Sequence, residues 1–137
     1  MKIAIIDGQG GGIGKYITEK IREMLPPDIE IIALGTNAMA TTLMLKAGAN
    51  EGATGENAIV YNVDRVDMII GPLAIILANS MLGELTPKMA EAITCSKALK
   101  ILLPITKSNI QIVGVKHEPL PHIINKVIET IKIRMEG

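Results

Sequence analysis

Aromatic side chains are almost missing from this 137-residue chain, which has no Phe, no Trp and two tyrosines, Tyr16 and Tyr61. That excludes a row of stacking faces for unpaired bases and leaves Ile, Leu, Val, Ala and Met to build the core. Cysteine is represented by Cys95 alone, so no internal disulfide can form. An excess of either charge is missing too: 14 basic residues balance 14 acidic ones, with no basic block to neutralise a phosphate backbone. Long apolar runs are absent. The longest uncharged stretch, residues 68–83, is interrupted by Gly71-Pro72 and falls short of the ~20 apolar residues of a membrane span. The N-terminal apolar run stops at Asp7, too soon for a secretory signal. These absences together predict a cytoplasmic protein that engages neither nucleic acid nor membrane. What is present, 48% apolar and 20% charged residues, suffices for a real core, and the length is that of one domain, residues 1–137.

The pattern alternates strand and helix. Residues 2–6 are β-branched and apolar on both faces, as in a central parallel strand. From Ile13 the apolar residues return at Ile17, Ile21 and Met24/Leu25, a helix ended by Pro26-Pro27. Residues 29–34 form a second strand, and a second helix puts Met39, Leu43 and Ala47 on one face before Gly48. Residues 49–53 are a short third strand. Residues 56–66 lack one clean period and are assigned to a helix, and residues 67–71 to a fourth strand. Pro72 then opens an oily helix to about Leu82, and Thr86-Pro87 caps another to about Ser96. Residues 101–105 and 110–115 read as two last strands. Only four residues separate them, too few for a parallel crossover, so the sixth strand is predicted to lie antiparallel at an edge. Leu120, Ile123, Ile124, Val127, Ile128, Ile131 and Met135 mark a final amphipathic helix. The expected fold is a Rossmann-like three-layer α/β domain, sheet order 3-2-1-4-5 plus the antiparallel edge strand. Its oily central helices predict a homodimer.

Between the first strand and the first helix lies Asp7-Gly8-Gln9-Gly10-Gly11-Gly12-Ile13-Gly14-Lys15. Amides at the start of that helix, backed by its dipole, suit an anion such as phosphate. The strict dinucleotide spacing fails because Ile13 stands at its sixth position, whereas Gly8-x-x-x-Gly12-x-Gly14 is complete and resembles the cofactor loop of short-chain dehydrogenases. Gly11-Gly12-Ile13-Gly14-Lys15 is also similar to the deviant P-loops of partition-type ATPases, with Tyr16 in place of the magnesium-binding hydroxyl. A purely structural glycine turn is the remaining reading. Tyr16 and Lys20 spell the dehydrogenase Tyr-x-x-x-Lys pair, but beside the cofactor loop rather than far downstream, where a solvated helix face accounts for them.

Asp7 to Lys15, then Ala33-Leu34-Gly35-Thr36-Asn37-Ala38, Glu51-Gly52-Ala53-Thr54-Gly55-Glu56-Asn57 and Ile70-Gly71-Pro72, together resemble a small bacterial Rossmann-like family known only as a domain of unknown function. That resemblance implies the fold and brings no reaction with it.

Ligands in open α/β sheets bind beyond the carboxyl ends of the strands. The candidate cofactor-binding residues are therefore Gly8, Gln9, Gly10, Gly11, Gly12, Ile13, Gly14, Thr36, Asn37, Thr54 and Gly71, with Thr106 after the fifth strand. Thr36 and Asn37 stand where NAD sites place an acid, which tilts the expectation of an NAD(P)-type nucleotide towards NADP; FMN is the other candidate. His117, His122 and Cys95 lack the partners of a metal site or nucleophile, so neither is assigned. Glu56 fits a general base or a first-turn acid equally, and no catalytic residue is named. Two functions are expected from these residues: a nucleotide-sensing or regulatory module or enzyme subunit, or an NAD(P)-dependent oxidoreductase.

Overall fold

The β-branched runs pair as one twisted sheet whose order is β3-β2-β1-β4-β5, every neighbouring pair parallel. The computed structural model describes residues 1–105 and 109–136. Along the chain come β1 (Lys2–Asp7), α1 (Gly12–Met24), β2 (Glu30–Gly35), α2 (Ala38–Lys46), β3 (Glu51–Thr54), α3 (Glu56–Asn62), β4 (Met68–Pro72), α4 (Pro87–Cys95), β5 (Leu99–Leu103) and α5 (Leu120–Glu136).

The pleat of β1 sorts the two halves of the core. Ile3 and Ile5 face α1, α2 and α5 with Ile17, Ile21, Met44, Ile124, Val127, Ile128 and Ile131. Ala4 and Ile6 face the other side, against Ile59, Val63, Met89 and Ile93 of the α3–α4 region. Because both faces of a parallel strand are covered, β1 and β4 are apolar at every central position rather than alternating. Two caps hold helix starts in place: Asn37 accepts the Ala40 amide at 2.9 Å and Thr86 the Met89 amide at 3.1 Å.

Two expectations are corrected. The antiparallel sixth strand is not formed: the described residues make five strands, all parallel, and β5 is the edge. Residues 110–115 instead turn, with the Val115 amide donating to the Ile112 carbonyl and Gly114 at φ +89°. Ile110, Ile112, Val113 and Val115 are all exposed. Their apolar groups fall on both parities of the run, so no pleat would separate a core face from a solvent face, and register along an edge is not specified. After this turn the chain goes on to α5. Thr106 lies outside the described residues.

The oily helix after Pro72 is also replaced. Leu73–Ile76 and Met81–Gly83 are single 3₁₀ turns joined by irregular backbone. Asn79, Met81 and Leu82 have φ of 65°, 57° and 57°, values that no right-handed helix contains. Uniform hydrophobicity carried no helical period there, and the segment folds as a strap closed on itself by the Asn79 amide to the Leu85 carbonyl and the Ser80 hydroxyl to the Ala74 carbonyl.

These assignments separate two substitutions. Ile70→Ala, at a fully buried β4 position, is expected to cost about 2–5 kcal/mol in denaturant unfolding. Val113→Asp, 93% exposed, should change stability by no more than about 0.5 kcal/mol; a larger loss would mean that residues 110–115 are paired after all.

Candidate functional site

β1 ends at Asp7, a residue only 4% exposed, and its carboxylate points forward rather than away from the chain. One oxygen accepts the Gly8 amide at 2.8 Å and the other the Gly14 amide, in the first turn of α1, at 2.6 Å. The strand end is thereby clamped to the helix start. Burial raises the Asp7 pKa above its ordinary value, against the two amide hydrogen bonds, and the charge of Glu84 adds to the rise.

The glycines divide by the space around them. A Cβ on Gly14 would stand 2.8 Å from the Asp7 Cβ and 2.7 Å from the Met44 sulfur, so its absence lets α1 lie close on the sheet. Gly11 has φ +73° and would meet the Ala40 Cα at 2.7 Å. Gly10 and Gly12 differ from both: neither has a left-handed φ, and among the described residues a Cβ on either would meet nothing within 4 Å. Gly11 donates to the Gly8 carbonyl and Lys15 to the Gly11 carbonyl, while among the described residues the Gly12 and Ile13 amides have no acceptor.

Those amides border a cavity of about 530 Å³. Asp7, Gly8, Gln9, Gly10, Gly11, Gly12 and Ile13 form one wall; Pro72 and Ala74 after β4, Ser80, Met81 and Leu82 of the strap, and Ile105 after β5 form the rest. It sits between the ends of β1 and β4, where the strand order reverses and ligands of open α/β sheets bind. The strap carries its backbone strain here. Leu82, 97% exposed, and Met81 both hold left-handed φ at the cavity rim.

Of the described candidate residues, Gly8 to Ile13 line this cavity and the others do not. Gly14 lies beneath it, Gly71 is buried inside β4, and Thr54 shares a hydroxyl hydrogen bond with Thr41. Thr36 and Asn37 are engaged by a residue that sequence reasoning missed. Glu84 Oε1 accepts from the Gln9 amide at 2.8 Å, the Thr36 hydroxyl at 2.7 Å and the Asn37 amide nitrogen at 2.9 Å. Those bonds, the Thr36 hydroxyl first, hold its pKa below the ordinary carboxylate value. The available signal was that Glu84 is the only acid between Asp67 and Glu91.

Glu84 of the strap thus stands at the end of β2, with the Thr36 hydroxyl and the Asn37 side-chain amide as its donors. Glu56 lies away from the cavity, accepting the Thr86 hydroxyl at 2.5 Å and tying α3 to α4. Lys20 pairs with Glu23 at 3.1 Å on the surface of α1. His117, His122 and Cys95 are exposed, and among the described residues no three His, Cys, Asp or Glu side chains are grouped to hold a metal. No helix among them is long and apolar enough to cross a membrane.

The family described as Domain of unknown function (DUF3842) matches residues 2–136, so the chain belongs to that family, as its loop sequences suggested. No curated protein matches. Among solved structures, the chain is similar to a dodecameric FMN-dependent UbiX-like decarboxylase from Escherichia coli O157:H7, with 14% identity, 96% of this chain and 95% of that one covered, and a TM-score of 0.50. At that identity the likeness is one of fold.

The two carboxylates generate separate predictions. Asp7→Ala strands two buried amides and is expected to cost about 1–3 kcal/mol in chemical unfolding; unchanged stability would show that the clamp is dispensable. Glu84, whose pKa is lowered on folding, contributes stability that is complete above its ordinary value of 4.5 and is lost as pH falls through its folded value. The stability difference between wild type and Glu84→Gln should therefore be constant above about pH 4.5 and shrink below it in unfolding curves taken across the acid range. Asp7 works in the opposite sense: its raised pKa makes its contribution fall as pH rises above 3.8.

Proposed function

We propose that this member of a family of unknown function is a nucleotide-binding module, residues 1–137 acting as one domain, and that FMN is its first candidate ligand. The observation that carries the reading is the pair Gly10 and Gly12. Neither backbone angle nor packing requires glycine at either position, yet both border the cavity where side chains would cover the Gly12 and Ile13 amides. A phosphate needs that bare backbone, and the helix dipole of α1 favours its charge. Asp7 already occupies the Gly14 amide, so the Gly12 and Ile13 amides would hold the anion. Among the described residues no Lys or Arg lines the cavity. Affinity on the order of micromolar is expected from such a site.

Pro72, Ala74, Met81, Leu82 and Ile105 offer an apolar slot for a flat ring system beside the phosphate site, within the ~300–1,000 Å³ range of ordinary ligand pockets. The FMN dependence of the structurally similar decarboxylase agrees with that choice. When bound, FMN would supply redox chemistry that none of these side chains has. NAD(P) finds no corresponding support, and the oxidoreductase reading built on it is set aside. Self-association belongs to the same reading: Leu82 is 97% exposed, and the similar decarboxylase is dodecameric. Light scattering is expected to show at least a dimer at micromolar concentration; a monomer would count against it.

Calorimetric titration of FMN into wild type and Gly12→Val tests the ligand. A Cβ at position 12 meets nothing within 4 Å among the described residues, so the variant should keep the wild-type melting temperature and lose at least about tenfold in affinity, equivalent to ~1.4 kcal/mol. If wild type does not bind FMN, or a folded Gly12→Val binds it as well, the reading is wrong.

A further inference from the structure

The cavity wall is one-sided. From the Gly12 and Ile13 amides it runs towards the ends of β4 and β5, and no residue from the ends of β2 or β3 lines it. In sheets of this topology the end of β2 is where a dinucleotide lays its second ribose, beyond the phosphates held at the first helix. Here that place is filled from within. The strap brings Glu84 across the loop, and its single Oε1 collects the Gln9 amide, the Thr36 hydroxyl and the Asn37 side-chain amide. Asn37 also donates to the Gln9 carbonyl at 2.9 Å, so the glycine loop and the β2 end are sewn together. A Cβ on Gly8 would stand 2.2 Å from the Thr36 hydroxyl, 2.6 Å from the Met81 sulfur and 3.2 Å from Glu84 Oε1, which shows how tightly the strap crosses there.

We infer that Glu84 is a specificity-determining residue that restricts the site to mononucleotides by occupying and negatively charging the position a second nucleotide would take. The inference rests on the proposed phosphate site. A ligand that ends at its phosphate, such as FMN, stays within the open cavity. One that continues through a pyrophosphate into a second nucleoside, such as FAD or NAD, must break three hydrogen bonds to Glu84 and bring a second phosphate towards its carboxylate. The neighbouring charges act in the same direction: Asp7 lies under the loop, and its interaction with Glu84 is repulsive.

The test is flavin-fluorescence titration of wild type, Glu84→Ala and Glu84→Gln with FMN and FAD, with NAD followed by calorimetry. Wild type should bind FAD about a hundredfold more weakly than FMN, from like-charge repulsion together with three lost hydrogen bonds. Glu84→Ala should narrow that ratio by at least about tenfold, and Glu84→Gln, which removes the charge and keeps the shape, by less. Wild type binding FAD within about threefold of FMN overturns the inference and leaves the phosphate site standing. So does a ratio unchanged in folded Glu84→Ala. The wild-type ratio decides the matter even if a variant fails to fold, and absence of FMN binding to wild type overturns the phosphate site and this inference together.

Discussion

The clamp of Asp7 on the amides of Gly8 and Gly14 is the contact on which the remaining features of the site depend. It joins the last residue of the central strand to the first turn of the first helix, and it does so with a carboxylate whose pKa burial raises. A charge kept at that cost has to be matched by donors that cannot move away, and backbone amides at a helix start are such donors. Once α1 is held at this angle, Gly14 must be bare for the helix to approach Asp7, and Gly12 and Ile13 are left in the cavity wall.

Glu84 performs the complementary task from the other direction. The strap from Leu73 to Leu85 would otherwise be an apolar loop with several residues in unfavourable backbone angles. Strain of that kind persists only where surrounding contacts over-determine the conformation, and three hydrogen bonds to one carboxylate oxygen supply part of that constraint. The same contacts close the β2 side of the loop and leave the β4 side open. The two carboxylates therefore shape one cavity between them, one from beneath and one from the flank.

Much of this was legible in the residues. The alternation of apolar runs and helical periods located all five parallel strands, and the five α-helices lie within the predicted segments, since each buries a defined face. The order 3-2-1-4-5 followed from the class. Two segments resisted for the same reason. Residues 73–85 and 110–115 are rich in apolar side chains without a period, so hydrophobicity alone suggested regular structure where the backbone is irregular. Of the candidate ligand residues, Gly8 to Ile13 meet at one cavity because a local loop carries them, whereas Thr36, Asn37, Thr54 and Gly71, placed by analogy with strand ends, stand outside its wall.

By itself the sequence determined the strands and helices outside residues 73–85 and 110–115, that the sheet is parallel through β5, and that a glycine loop opens the first helix, because each of these depends on residues close together in the chain. Only the tertiary structure decided which glycines are required by packing and which are open, and that the end of β2 is closed. Met44 and Asp7 crowd Gly14, whereas among the described residues nothing lies within 4 Å of a Cβ on Gly12. Glu84 is 48 residues from Thr36, and 75 from Gln9, so their meeting is set by how the strap crosses the sheet end, a relation that no local pattern encodes.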